Sequence, residues 1–327
     1  MPQKYDPDVN LYRKPARRLA DGMMQALGPG GVLRPALQRV LDDDRLRLDI
    51  RHNQFNVYYG GGNLMRAAWG NGAWDLSFDP NYLKGASNEA ASGAPLVALP
   101  RNVQGPQDAQ AWADSFDALM ATMDAWWKHH PKTERTDCQD IARANHTRTA
   151  LVRADHIRPS PPTDFVVIDL EYQWAQRRFD LMAARRNPTP DDPVGWVHPS
   201  LAFIEVKSEI GACTGKAGLA DHARDFADIV TARGGAYLQG IRDEFTTVIR
   251  QKQALGLISP DFPFLAFSPA QPELIFVTVD LDLTTPARRG LWDPVHRTAR
   301  ELDLPGFQLI QLQRRDLAMT KTKAKWI

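Results

Sequence analysis

The sequence predicts an α/β (α+β) protein, in which helices flank a mixed central sheet and an N-terminal α/β region carries an antiparallel hairpin or meander. Two observations support this fold class. In the first half, the hydrophobic period changes from helical to alternating near residue 45. In the second half, three strand-like segments precede two helical ones, and a β-branched segment follows them. Helices and strands therefore alternate irregularly along one chain.

The first helices are predicted within residues 11 to 45. One lies around Leu19 to Leu27, and a second lies near Pro35 to Leu41. The Gly-Pro-Gly-Gly segment at 28 to 31 separates them, because glycine and proline interrupt helices.

Alternating segments follow from Arg45 to Val57 and from Leu64 to Phe78. The intervening Gly60-Gly61-Gly62-Asn63 predicts a turn between antiparallel strands, and it lacks the following helix that a dinucleotide-binding fingerprint requires. Residues 85 to 108 are rich in small and polar residues, which predicts a loop or linker. The domain boundary is predicted there, giving a recognition or assembly region at 1–108 and a second domain at 109–327.

The second domain is predicted to begin with helices at Asp108 to Lys128 and from Thr133 to about His146. Strands, helices and a closing strand follow, and the sequence shows no repeat with a fixed period. The strands are Asp164 to Gln173, Arg177 to Ala184 and Leu201 to Ser208, the helices are Ala217 to Thr231 and Tyr237 to Leu255, and the strand Leu274 to Leu281 closes the sheet.

Composition limits the class of protein. Forty basic and thirty-nine acidic residues give a formal charge of +1, so the molecule has no strong overall field toward nucleic acid or membrane. The two cysteines form no metal-binding or disulfide pattern, and the N-terminus has no apolar signal segment. The sequence therefore predicts a cytoplasmic protein with no membrane partner, whose basic surfaces are local.

The most informative segment is Phe203-Ile204-Glu205-Val206-Lys207. Alternation in a strand places Glu205 and Lys207 on one face. Burying either charge alone is costly, so the two are expected to be paired with each other or bound to a ligand. An Asp in the preceding apolar strand, Asp180, repeats the pattern. An ordinary salt-bridge network on a half-exposed sheet is the alternative.

This order of elements, with Asp180 on the second strand and Glu205-Val206-Lys207 on the third, resembles the PD-(D/E)XK nuclease superfamily, which has the restriction-endonuclease-like fold. The resemblance covers about residues 133–283 and departs from the motif at Phe179, where the motif has a proline that is often missing among family members. It implies a Mg²⁺- or Mn²⁺-dependent nuclease, an endonuclease acting on DNA in restriction, repair or anti-phage defence. A non-catalytic nucleic-acid-binding or assembly module that keeps the fold is the other class left open.

The resemblance implies roles that agree with the chemistry of these residues. Hydrolysis of a phosphodiester is assisted by a hard cation, and Mg²⁺ prefers carboxylate and carbonyl oxygens. Asp180 and Glu205 would supply the carboxylates, and the Val206 carbonyl is a further ligand by resemblance. Lys207 would orient the attacking water or stabilise developing charge.

Two further acidic residues are candidate metal ligands. If the hairpin turn is centred between Ala175 and Gln176, residues whose numbers sum to 351 face each other, so Glu171 lies opposite Asp180. Like charges there would repel unless a cation joined them. Glu134 on the first core helix is a candidate by resemblance, with a surface Glu favoured by the helix dipole as the alternative.

Local positive charge suggests where nucleic acid would bind. The candidates are Arg177, Arg178, Arg185 and Arg186 around the Asp180 strand, Lys216 in a Gly-rich turn, and a basic C-terminal extension. The turn at 211–217 departs from a phosphate-binding loop in both spacing and its final residue. His222 shows no metal-ligand spacing and is expected at the surface, with a role at the site as the alternative because it lies on the helix after the Glu205 strand. A homo-oligomer or a partner protein bound through the N-terminal region would complete the assembly.

Overall fold

The computed structural model of the protein describes residues 17–70, 72–83, 99–147, 163–174, 177–304 and 307–326. The chain divides into two compact units. The N-terminal unit comprises Pro15–Gln139 and Arg250–Leu257, and the C-terminal unit includes Asp140–Ile249 and Ile258–Ile327. Among the described residues, the first division between these units falls after Gln139, whereas the sequence predicted a boundary within residues 85–108.

The N-terminal unit contains the predicted helices, α1 (Asp21–Leu27) and α2 (Arg34–Asp42), followed by an antiparallel sheet. The predicted meander is confirmed, and each alternating segment of the sequence contains two strands. The strands lie in the order β1 (Leu46–Ile50), β2 (Gln54–Tyr59), β3 (Gly62–Gly70), β4 (Ala73–Ser77) and β5 (Asn102–Val103).

Two helices follow the sheet, α3 (Pro106–Trp127) and α4 (Thr133–Ala144). Helix α3 packs against α2 and β3, and its buried side chains include Trp112, Phe116 and Leu119. This packing is the physical reason why the N-terminal unit continues past residue 108. Residues 85–108 have the composition of a linker, but the apolar face of α3 packs against the preceding sheet.

The C-terminal unit is built on a six-stranded mixed sheet. Pairs β6–β7, β7–β8 and β10–β11 are antiparallel, whereas β8–β9 and β9–β10 are parallel. The strands are β6 (Phe165–Trp174), β7 (Arg177–Arg185), β8 (Ser200–Lys207), β9 (Glu273–Val279), β10 (Gln308–Leu312) and β11 (Ala324–Trp326).

Helices α5 (Leu219–Thr231) and α6 (Ala236–Ala254) connect β8 to β9, as predicted. The prediction that the strand near 274–281 closes the sheet is wrong, because β10 pairs in parallel with β9 and β11 follows at the edge. Helix α7 (Asp293–Glu301) lies between β9 and β10. The basic C-terminal extension therefore forms part of the sheet. Within the described ranges, no helix combines the length and apolarity needed to cross a bilayer.

Strand β8 is buried along its whole length. It lies between β7 and β9, and α5 contacts both of those neighbours. The strand is therefore the centre of the C-terminal unit, and any charge on it lies in the protein interior.

Candidate active site

Glu205 and Lys207 form an ion pair inside the C-terminal unit. Lys207 Nζ donates a hydrogen bond of 2.6 Å to Glu205 Oε1, and the two side chains are only 4% and 3% exposed, respectively. The prediction that both emerge on one side of β8 is confirmed. The attraction between two buried charges rarely offsets the free energy that they lose with their hydration. A pair that is buried this deeply therefore requires further partners.

One atom of this pair has none. Among the residues that the structure describes, Glu205 Oε2 has no hydrogen-bond partner although it is buried. A buried carboxylate oxygen without a donor or cation is strongly unfavourable, and such atoms are uncommon in native proteins. Glu205 Oε2 therefore has the chemistry of an atom that receives a ligand.

Asp180 lies beside the pair, where the pairing of β7 with β8 ends. The last paired residues are Leu181 and Ile204. Beyond them, the backbone N–H of Val206 donates a hydrogen bond of 2.9 Å to Asp180 Oδ2. Since Val206 lies between Glu205 and Lys207 in sequence, the structure brings the three predicted residues to one end of β8.

The prediction for the position of His222 is wrong. It was expected at the surface, but it is buried on α5, and its Nε2 lies 2.7 Å from Glu205 Oε1. Neither ring nitrogen has a hydrogen-bond partner of good geometry among the described residues. A usable signal existed, because His222 precedes buried Phe226 by four residues and so shares its helix face.

Aromatic rings surround this end of the site. Phe203 packs edge-on against Phe179 at 5.1 Å and against Phe226 at 5.5 Å between ring centroids, and the His222 ring is 6.0 Å from Phe179. These apolar neighbours lower the local dielectric, which strengthens every interaction between charges at the site.

Thr278 is a second residue that local sequence patterns did not identify. It is the register neighbour of Lys207 on β9 and is completely buried. Its Oγ1 also has no hydrogen-bond partner among the described residues. Its pairing with Lys207 comes from a strand 71 positions later in the chain, so no local pattern could have shown it.

The register of the β6–β7 hairpin agrees with the numbering argument. Leu170 pairs with Leu181 and Tyr172 with Phe179, so Glu171 and Asp180 occupy the facing positions between them. Glu171 is partly exposed and has a φ of 52°, a left-handed conformation within a strand. Its role as a ligand stays a prediction. The proposed turn residues, 175 and 176, lie outside the described residues.

Glu134 lies in the first turn of α4, within the N-terminal unit. That position agrees with the alternative interpretation of an acidic residue near a helix N-terminus. Its role toward a metal stays a prediction.

Three of the candidate nucleic-acid-binding arginines form ion pairs with carboxylates. Arg177 contacts Asp225 and Asp228, Arg185 contacts Glu273, and Arg186 Nε lies 2.9 Å from Asp164. Burial raises the pKa of Asp225 above its ordinary value, although the nearby Arg177 and His222 oppose that shift. Arg178 and Lys216 are exposed, so they are the candidates with side chains in solvent.

The fit of this site to a divalent cation rests on a small set of donors. Within the described part of the chain, no three His, Cys, Asp or Glu side chains converge as a metal cluster. Mg²⁺, however, is commonly held by one or two carboxylates, with water and substrate phosphate completing its shell. The unpartnered Glu205 Oε2 and the adjacent Asp180 carboxylate fit that mode of binding. Ligation by the Val206 carbonyl stays a prediction.

Comparisons of this chain with protein-family models, with curated proteins and with solved structures find no match.

Proposed function

We propose that this chain hydrolyses phosphodiester bonds of nucleic acid, with DNA as its favoured substrate, in a reaction that depends on Mg²⁺ or Mn²⁺. The observation that carries the proposal is the buried Glu205 Oε2, which has no hydrogen-bond partner among the described residues, beside the Lys207 ammonium on the other oxygen. A carboxylate oxygen with this environment suits a hard cation, and the ammonium suits an oxyanion or water.

The order of elements supports the proposal. Helix α4, strands β6, β7 and β8, helix α5 and strand β9 follow one another as the nuclease resemblance implies, on a mixed sheet. A restriction-endonuclease-like core is therefore the fold that we propose for the C-terminal unit. Since one fold supports many functions, the site residues and not the topology carry the functional argument.

Each residue would have a distinct role. A cation bound at Asp180 and Glu205 would neutralise phosphate charge and lower the pKa of a water molecule. Lys207, oriented by Glu205 at 2.6 Å, would hold the water or stabilise developing negative charge. Asp180 fixes the end of β8 through the Val206 N–H, and His222 packs against Glu205 Oε1 and positions that carboxylate.

Cleavage assays with single- and double-stranded DNA and RNA test this proposal, in the presence of Mg²⁺, Mn²⁺ or chelator. We expect metal-dependent cleavage that Glu205→Gln and Asp180→Asn abolish. Lys207→Met should lower the rate by roughly 10²- to 10⁴-fold, as expected for loss of a group that assists proton transfer or stabilises developing charge. Glu205→Gln keeps the shape of the side chain, so a change in activity reports its charge.

Glu209→Gln is the matched control, because Glu209 lies two residues beyond Lys207 and is exposed. This variant should cleave at the wild-type rate. Cleavage that persists in Glu205→Gln, or that continues in the presence of chelator, would refute the proposal.

The second candidate is a non-catalytic nucleic-acid-binding or assembly module. One observation favours it, namely that no three potential metal-ligating side chains converge within the described ranges. Under this alternative, the wild-type protein would still bind DNA or RNA in chelator, and no cleavage would appear in Mg²⁺ or in Mn²⁺.

A further inference from the structure

The N-terminal unit contains a separate pocket of about 380 Å³. It lies where α3 ends, α4 begins and the β2–β3 turn passes beside them. Its size falls within the roughly 300–1,000 Å³ that small-molecule sites occupy. The side chains that define its character are Tyr82, Trp126, Trp127, His130, Lys132 and Arg135.

Its aromatic wall is held in a fixed arrangement. Tyr82 packs edge-on against Trp126, with ring centroids 5.3 Å apart, and against Trp127 at 5.9 Å. Trp126 also stacks on His130 at 4.3 Å with the planes 14° apart. Rings that pack on one another in this way lose little additional freedom when a planar ligand binds.

Glycines form the backbone side of the pocket. A Cβ at Gly60 would lie 2.7 Å from the Trp127 ring, and one at Gly62 would lie 2.2 Å from the Tyr82 hydroxyl. Only glycine therefore allows the β2–β3 backbone to approach these rings so closely. The close approach supports the positions of both rings.

Charge at the pocket is unevenly distributed. Lys132 and Arg135 are exposed cations at its edge, and Asp79 is the one carboxylate among the described residues that line it. Asp79 and Asn81 add hydrogen-bond acceptors and a donor. The pocket thus combines flat aromatic surface for a planar ring with positive charge for an anion, and with polar groups able to contact a ring edge.

We propose that this pocket binds one nucleotide, with the base against the Trp126 side of the wall and the phosphate at Lys132 and Arg135. A free nucleotide and an unpaired nucleotide of a single strand offer the same chemistry. The proposal concerns the N-terminal unit and does not depend on phosphodiester cleavage at Glu205.

Titration of the full-length protein tests it by calorimetry and by tryptophan fluorescence. The ligands are nucleoside 5′-monophosphates, the matching nucleosides, ribose 5-phosphate and a short single-stranded oligonucleotide, all in chelator so that cleavage does not enter. We expect the monophosphate or the oligonucleotide to bind with saturation, and both the nucleoside and ribose 5-phosphate to bind at least tenfold more weakly. Tighter binding of the oligonucleotide would identify the strand as the source, and equal binding the free nucleotide.

Lys132→Ala and Trp126→Leu should each weaken binding about tenfold or more, which corresponds to losing a charge contact or one stacking surface. Lys128→Ala is the matched control, because Lys128 is an exposed lysine near the end of α3 that does not line the pocket. Since Lys132 is exposed, its replacement tests the proposal even if Trp126→Leu fails to fold. Absence of saturable binding at millimolar nucleotide, or equal affinity in Lys132→Ala and Lys128→Ala, would overturn the proposal.

Discussion

At the residue scale, Asp49 on β1 shows how much a buried charge depends on its neighbours. The side chain is fully buried, its Oδ2 lies 2.9 Å from Arg47 Nε, and its Oδ1 accepts a hydrogen bond from Lys252. Burial opposes its ionisation, but the charges of Arg47, Lys252 and Arg51 hold the pKa of Asp49 well below its ordinary range. Burial also lowers the pKa of Lys252 to about 7, so the pair is charged on both sides below neutral pH.

We therefore expect Asp49→Ala and Lys252→Met to differ in cost at pH 6. Asp49→Ala leaves Lys252, Arg47 and Arg51 without their shared carboxylate, and breaking a buried pair in this way costs about 3–5 kcal/mol of unfolding free energy. Lys252→Met should cost clearly less, because Asp49 keeps Arg47 at 2.9 Å. Urea denaturation measures both. Equal losses would show that the arginines contribute nothing to holding Asp49.

At the scale of an element, the β2–β3 turn is specified by two glycines. Gly60 and Gly61 have φ values of 53° and 77° between the paired residues Tyr59 and Gly62, which is the pattern of a type I′ hairpin turn. A Cβ on Gly61 would lie 2.1 Å from the Arg135 carbonyl oxygen in α4. The turn therefore requires glycine for its backbone conformation and also for the space beside α4.

Gly61→Ala tests the two requirements against Gly72→Ala. Gly72 also has a φ of 77°, but nothing lies within 4 Å of the position of its Cβ. Gly72→Ala should cost only the left-handed conformation, roughly 1–2 kcal/mol of unfolding free energy. Gly61→Ala should cost more, because backbone atoms must also move. Thermal and urea unfolding of both variants provide the comparison, and equal losses would contradict the close packing of the turn on α4.

At the scale of the whole molecule, the chain passes between its two units after Gln139, after Ile249 and after Leu257. A fragment of residues 109–327 would lack the sheet on which α3 packs, so Trp112, Phe116 and Leu119 would lose the surface that buries them. We expect this fragment to bind a hydrophobic dye and to aggregate, whereas the full-length chain should do neither. A fragment that unfolds cooperatively and does not bind the dye would support the boundary near residue 108.

Glu205 and Lys207 were predictable as a pair because a spacing of two in a strand fixes their common side locally. Helices and strands were predictable because their hydrophobic periods are clear. His222 and Thr278 join the site from other elements, and residues 250–257 join the N-terminal unit from the end of α6. The helical spacing of His222 from Phe226 could show that His222 is buried. Which residues from other elements it meets depends on the packing of the whole chain, as it does for Thr278 and for residues 250–257.

The contact between Asp49 and Lys252 joins residues 203 positions apart, and this separation has a consequence during synthesis on the ribosome. At about 5–20 residues per second, Lys252 is made roughly 10–40 s after Asp49. Through that interval the nascent β1 strand carries its carboxylate without the ammonium that later contacts it. The N-terminal unit, although it is translated first, can therefore complete its interior only after most of the C-terminal unit has been made.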